Sequence, residues 1–534
     1  MPRMWDAIAI GAGLGGLTAA SLYARSGKRV LVLERNPTIG GAATVHTHAG
    51  LSIEASLHAI DGLDAADPKA AILGALGLDH DLTFVDVGPL HEVRSALLGA
   101  PFVLPQGLAA ALTAAQARFP QHTTALAAYF TRLAQARGTA STALRHRDDK
   151  LWWLLHAPAL PWTFWPMLRD RHTSLGDVLN QLFGQDEAVK FALAANLGYY
   201  ADDPDTLPFV AFAIPQASYL IGGGHYIRGG SQSLSDRLAA IVVEAGGAIE
   251  TGRDAVAILT DHGRATGVRH AARDGRDPRE DHAPVLFGDA APHVLAEMLP
   301  DEEQDRFSAP FRDRKLSTSL WTVALGLDRK PAAFGVGTYS TIVLPDWMIR
   351  LDQFRTAAAV LGHDPSDAPM LPPYSFVDYS RIDTGLNQEA PFLGTLCGLD
   401  RWDNWTGLGA ATVRDRKQRW MDRLVRDLDR QFPGIAASIV HREMAIAPTF
   451  HHYLNTPRGA VYGFAPTRET GGLNAGSPLT PVANLFLASA FTLAGGFTGA
   501  MLGGAEAVRA ALKAASNDES DGGKTDRASG VVLY

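Results

Sequence analysis

Ile8-Ala9-Ile10-Gly11-Ala12-Gly13-Leu14-Gly15-Gly16-Leu17, answered by Leu31-Val32-Leu33-Glu34-Arg35, is the stretch on which the fold turns. It reads as strand, glycine turn, helix, strand and acidic residue, which sets a dinucleotide pyrophosphate on a helix amino terminus and a carboxylate on its ribose. Gly11 permits the tight turn, Gly13 removes a Cβ that would block the pyrophosphate, and Gly16 lets the helix lie close to the sheet. The helix continues from Leu17 to Arg25 and stops at Gly27, so its unpaired amino-terminal N–H groups face a phosphate. Glu34 stands where a carboxylate accepts the ribose hydroxyls and repels a 2′-phosphate, which disfavours NADP.

A second glycine pair follows in Asn36-Pro37-Thr38-Ile39-Gly40-Gly41-Ala42-Ala43-Thr44. From here the chain resembles the FAD-dependent family that includes phytoene desaturases, carotenoid isomerases and retinol saturases, where such a pair lies along the FAD phosphates and ribityl chain. The resemblance extends to about Arg509. Leu51 to His58 is similar to a saturase-type segment that ends in a histidine near the flavin. Tyr226 to Leu234, Gly246 to Glu250 and Ala255 to Leu259 resemble the return to the FAD domain, with Val256 as the valine whose backbone meets the adenine. Asn455 to Gly463 is similar to a late turn, and Asn484 to Met501 to the strand, loop and helix that cover the isoalloxazine pyrimidine. Ser489 stands where members of the family usually carry glycine, Thr498 where many carry proline, and Ala42 where the amine-oxidase branch carries arginine, which argues against that branch. Ser56 also replaces a common glycine.

The resemblance implies FAD held by Gly11, Gly13, Gly15, Gly16, Glu34, Arg35, Gly40, Gly41, Ala42, Val256, Ala490, Gly496, Phe497, Thr498 and Met501. It implies an α/β fold: a Rossmann-like FAD-binding domain assembled from discontinuous segments, with an interleaved α+β substrate domain. The boundaries are 1–70, 222–300 and 457–512 for the FAD domain and 71–221 and 301–456 for the substrate domain. Residues 513–534 are expected as a disordered tail, because the stretch from about Ser516 is polar and lacks apolar periodicity. Independently of the family, a helix amino terminus after Gly495, Gly496 and Gly499 would stabilise a reduced, anionic flavin.

At 534 residues two or more domains are expected, and 46% hydrophobic against 19% charged residues describes a well-buried chain. The net charge of −8 leaves no footprint for nucleic acid. One cysteine, Cys397, forbids an internal disulfide and a cysteine-based metal cluster. No metal is expected, since no ligand set stands at helical spacing and His451-His452 would point apart on a strand. The expected location is cytoplasmic, with no cleaved signal peptide. Residues 151–168 hold four of the ten tryptophans between cations, Arg145, Arg147 and Lys150 before and Arg169 and Arg171 after. Their three prolines break a continuous helix, and the segment reads either as a monotopic membrane dock or tunnel mouth, or as proline-broken core. Thr123 to Ala136 and Val413 to Phe432 have helical spacing, the latter with a solvated arginine- and aspartate-rich face, and Leu320 to Leu327 reads as a strand.

The resulting expectation is a flavin-dependent oxidoreductase that desaturates or saturates carbon–carbon bonds of a long apolar isoprenoid or polyene by hydride transfer at flavin N5. Only one dinucleotide fingerprint is present, so electrons are exchanged with an external carrier, oxygen or a quinone. His58 is the candidate base, ahead of His451, His452 and Tyr453; alternatively it packs against the cofactor without moving a proton. Two rivals are a double-bond isomerase without net redox change and a prenyl-binding escort protein on the same fold. The intact glycines and Glu34 speak against the escort.

Overall fold

A computed structural model describes residues 3–366, 370–470 and 476–521. In chain order the elements that build the site are β1 (Ala7–Ile10), α1 (Leu14–Arg25), β2 (Val30–Glu34) and the hairpin β3 (Val45–His48) and β4 (Leu51–Glu54). Next come β5 (His91–Arg94), β6 (Phe102–Leu104), α2 (Lys150–His156), α3 (Leu160–Asp170), β7 (Ala248–Thr251), β8 (Arg253–Asp261), β9 (Arg264–Ala272) and β10 (Leu286–Gly288). The remainder are β11 (Ser319–Leu327), β12 (Ser340–Val343), β13 (Tyr374–Asp378), β14 (Phe392–Asp400), β15 (Ile439–Ala445), β16 (Leu485–Leu487) and α4 (Gly496–Asp521).

One sheet has the order β7-β2-β1-β10-β16, all parallel. Every residue of β1 and β2 is buried, as continuous apolar runs must be when both faces of a parallel sheet are covered. Helix α1 covers one face and is itself buried from Leu14 to Ala24, because α4 lies across it. That approach requires small residues: a Cβ on Gly504 would come within 2.4 Å of the Gly15 carbonyl oxygen. The two ends of the chain are therefore packed against each other on this sheet.

The second sheet has the order β15-β11-β14-β13-β12-β5-β6 and is antiparallel except for the β5–β12 pair. The doubly hydrogen-bonded middle strands β11 and β14 are nearly all buried. The helix Ala410–Gln431 seats Trp420, Met421, Leu424 and Leu428 against this sheet's core and leaves its arginines and aspartates outward. The fold is thus α/β with an interleaved α+β portion.

Three expectations need correction. Residues 513–521 continue α4, because a helix already nucleated and packed as far as Ala511 extends at little cost per residue; the rest of the expected tail, 522–534, lies outside the described residues. His451 and His452 sit on a helix, Ala447–Leu454, started by Pro448 in its first turn, and not on a strand. In residues 151–168 the chain does break, at Ala157–Ala159, yet α3 runs through Pro166. The segment is not core: Trp162 is 78%, Leu154 72% and Leu155 68% exposed.

Candidate functional site

The glycine turn after β1 and the second glycine pair form one structure. The Gly40 N–H donates to the Ala12 carbonyl at 2.7 Å, and a Cβ on Gly41 would stand 3.2 Å from the Gly13 Cα. Gly40 and Gly41 have φ of 110° and 59°, conformations that only glycine adopts without strain. At the end of β2 the Glu34 carboxylate accepts the Ala12 N–H at 2.9 Å and the Asn36 N–H at 2.7 Å. Each of its oxygens keeps a free lone pair. Beside it, the Arg35 Nε is buried without a hydrogen-bond partner.

The carboxy-terminal segment completes the cradle. Gly15 lies against it so closely that a Cβ would meet the Ala488 carbonyl oxygen at 2.0 Å. Gly496 opens α4 with a φ of 75°, Phe497 packs on the core around α1, and Met501 is fully buried. Thr498 donates to Asp61 Oδ1 at 2.7 Å. Ala490 lies in the loop before α4, its carbonyl oxygen 2.5 Å from where a Cβ of Gly463 would sit, which brings the late turn to this loop. Ala42 is exposed, and its carbonyl accepts the Ser56 hydroxyl at 2.6 Å, so Ser56 ties the segment leading to His58 to the glycine pair. Val256 lies apart on β8, half-exposed, at the bulge where it has no partner on β9. Strand β8 touches β2, the strand that ends at Glu34.

His58 leaves this cradle toward the second sheet. Its Nδ1 is 2.9 Å from the Tyr199 hydroxyl and 3.9 Å from the Cys397 Sγ, while Tyr339 donates to the His58 carbonyl at 2.6 Å. Burial pushes the imidazole down to about 4, so it is neutral at ordinary pH. Burial likewise pushes the Cys397 thiol up to about 11. Tyr199 and Cys397, the two side chains that reach His58 Nδ1, also line a pocket with Leu320, Ile342, Phe354 and Leu399 and with the polar Asn196 and Ser375. By contrast His451, His452 and Tyr453 are exposed on their surface helix, which removes them as bases in an enclosed cavity.

Three functional candidates escaped the sequence reading. Asp289, directly after β10, accepts the Gly13 N–H at 2.6 Å, and its carboxyl is pushed up to about 7, first by burial and then by Glu34. A Cβ on Gly13 would stand 2.5 Å from this carboxylate, so Asp289 is a neighbour that Gly13 must accommodate. An acidic residue after a buried apolar run, repeating the position of Glu34, was the available signal. Lys69 is fully buried and donates to Asp61 at 3.2 Å and to Asp67 at 2.8 Å, which makes Asp61 the link between this cation and Thr498. Glu54, buried and pushed up by burial, accepts Ser231 through both its N–H and its hydroxyl, and so ties the hairpin to the returning segment.

A family model described as flavin containing amine oxidoreductase matches residues 14–287. The chain is 24% identical to an all-trans-retinol 13,14-reductase of Danio rerio over 94% of this chain and 85% of that protein. It is 21% identical to a chloroplastic prolycopene isomerase of Daucus carota over 88% and 74%. Among solved structures, an oxidoreductase from Methanosarcina mazei superposes with a TM-score of 0.59 at 16% identity, over 95% of this chain and 99% of that one.

Proposed function

The chain belongs to the flavin containing amine oxidoreductase family, and from that premise we propose an FAD-dependent oxidoreductase that saturates or desaturates carbon–carbon bonds of a long apolar polyene of isoprenoid type. The observation that carries the proposal is the chain of contacts from the glycine pair through Ser56 and His58 to Tyr199, which lines a largely apolar pocket. Similarity to a retinol reductase over most of both chains supports the substrate class.

The residues fit FAD. The Gly13–Gly40–Gly41 contact brings two glycine turns together with no side chain between them, Glu34 keeps acceptor capacity for hydroxyls, and the partnerless Arg35 Nε offers a donor beside it. FAD, when bound, supplies the hydride chemistry. The chain supplies the rest. Gly13, Gly15 and Gly16 present the α1 amino terminus to phosphate, and Gly496, Phe497, Thr498 and Met501 set the first turn of α4. The neutral His58 is the candidate proton acceptor, held in place by Tyr199 and by Tyr339 at its carbonyl. Tyr199, Cys397 and the apolar wall give the pocket its largely apolar surface.

Electrons are exchanged with an external carrier, oxygen or a quinone. The exposed apolar residues of α2 and α3, with Arg145, Arg169 and Arg171 beside them, fit a lipid surface from which a polyene could enter. Among the described residues no helix is long and apolar enough to cross a membrane. The test is anaerobic incubation of the yellow protein with candidate polyenes: bleaching with an unsaturated product supports desaturation, and reoxidation of pre-reduced protein with a saturated product supports saturation. Likeness to a prolycopene isomerase favours a second reading, double-bond isomerisation, which the same experiment reveals as a product isomer without lasting bleaching. Protein that is colourless and takes up no FAD refutes both.

A further inference from the structure

Strand β3 and strand β15 come from opposite ends of the chain and carry the same kind of pattern. Successive side chains alternate faces along a strand, so His46 and His48 share one face of β3, and His441 and Glu443 share one face of β15. Strand β15 is the edge of the seven-stranded sheet, and β3 pairs only with β4, so each has a free side. The hairpin lies directly on this sheet: a Cβ on Gly326 of β11 would touch His441 at 3.1 Å and Leu51 of β4 at 3.3 Å.

Three of these side chains, His48, His441 and Glu443, converge, with His46 at their margin. His48 Nδ1 is 2.9 Å from Glu443 Oε2 and 3.4 Å from His441 Nε2, and His441 Nε2 is 3.9 Å from the same carboxylate oxygen. His46 Nε2 lies 3.8 Å from the other oxygen, Oε1. Two ligands bound at about 2.0–2.1 Å to a tetrahedral ion stand about 3.3 Å apart, and the separations here bracket that value. An imidazole pair with nitrogens facing each other at 3.4 Å beside a carboxylate can be bridged by protons, as an ion pair, or by one cation that takes all three as ligands.

We propose that His48, His441 and Glu443 form a binding site for a divalent transition ion of the zinc class. Two imidazoles and a carboxylate are borderline donors, which suit zinc over the oxygen-loving magnesium or calcium, and they leave one position of a tetrahedral ion to water. The ion clips the hairpin that follows Gly40-Gly41-Ala42 to the edge of the second sheet. This inference stands on the three side chains alone and is independent of the substrate.

The test uses the full-length, untagged protein, freed of metal with a chelator and titrated with Zn²⁺ by calorimetry, with Co²⁺ replacing Zn²⁺ for spectroscopy. The expected result is one ion per chain at micromolar or lower concentration, with the intense visible bands of four-coordinate Co²⁺. His48→Ala and Glu443→Gln each weaken binding by at least the ~10–100-fold that losing a mere supporting group costs, and His262→Ala, at a fully solvated histidine elsewhere, changes nothing. His48 and Glu443 are 61% and 40% exposed, so neither variant disturbs the core, and an unchanged circular dichroism spectrum verifies this. Absence of binding, or binding of equal strength in both variants, overturns the proposal and leaves the cluster as a histidine–glutamate ion pair.

Discussion

Replacing Asp289 by asparagine tests how the cradle receives a diphosphate. The Asp289 carboxyl rises from the ordinary 3.8 to about 7 because it is buried and faces Glu34, while the N–H groups of Gly13 and Gly16 pull the other way. A diphosphate arriving at the amino terminus of α1 brings further negative charge to the same N–H groups, so FAD binds to the form in which Asp289 carries its proton. Above pH 7 that proton must be taken up on binding, and each pH unit then weakens FAD tenfold, about 1.4 kcal/mol. From pH 7 to 9 the wild-type dissociation constant should rise ~100-fold. Asparagine keeps an acceptor for Gly13 and has no proton to take up, so its affinity should be flat over the same range. The folded apoprotein follows the same sign: a raised carboxyl opposes folding as pH climbs from 3.8 through 7, by at most about 4 kcal/mol and less because Asp289 is only half-buried. Asp289→Asn should therefore also melt higher than wild type at pH 8. Quenching of FAD fluorescence on titration with apoprotein at pH 6, 7, 8 and 9 measures the slopes. A flat wild-type profile, or a variant that keeps the wild-type slope, refutes the reasoning.

Gly504→Ala places a Cβ 2.4 Å from the Gly15 carbonyl, and forcing α4 off α1 should cost about 1–3 kcal/mol and loosen the flavin, read as a lower melting temperature and faster flavin release. His58→Gln, at unchanged flavin content, should lower turnover by at least ~10², and because the imidazole is held near 4, wild-type turnover should show no limb from this group between pH 5 and 8; unchanged turnover assigns His58 to packing. His91 is buried and held down to about 4, so its contribution to stability is lost as pH falls from the ordinary 6.5 through 4, by up to about 3 kcal/mol, and His91→Asn should flatten the melting temperature in that window. Trp162→Glu combined with Leu154→Glu should abolish co-sedimentation with anionic lipid vesicles without changing the flavin spectrum, and co-sedimentation at wild-type level would refute the lipid contact.

What could be read in the sequence is what a short window contains. The glycine turn, β1, β2, β11 and the helices Thr123–Arg145 and Ala410–Gln431 announce themselves by apolar runs or helical spacing, and they form where those patterns predict. Glu34 was legible because it repeats a known distance from the glycines. Asp289, Lys69 and Glu54 were not, since each gains its meaning only when a distant segment folds onto it. The cluster of His48, His441 and Glu443 shows the same limit. A search for ligands at helical spacing passes over pairs set two apart on two strands, and the two histidines that meet, His48 and His441, are separated by 393 residues.

Gly15 shows why the two ends of the chain must be read together. In the glycine fingerprint its role could be assigned to the diphosphate, yet the atom nearest its missing Cβ is the Ala488 carbonyl, 470-odd residues on by the numbering, at 2.0 Å. The same helix turn meets Gly504 through the Gly15 carbonyl. One residue thus admits both the strand before the carboxy-terminal loop and the helix after it. A side chain at position 15 would displace that loop, and with it Thr498 and its bond to Asp61, before touching any ligand. Gly15→Ala should therefore reduce flavin retention even where the glycine pair Gly40-Gly41 is intact, and disturb the His58 segment, because Asp61 lies three residues beyond it.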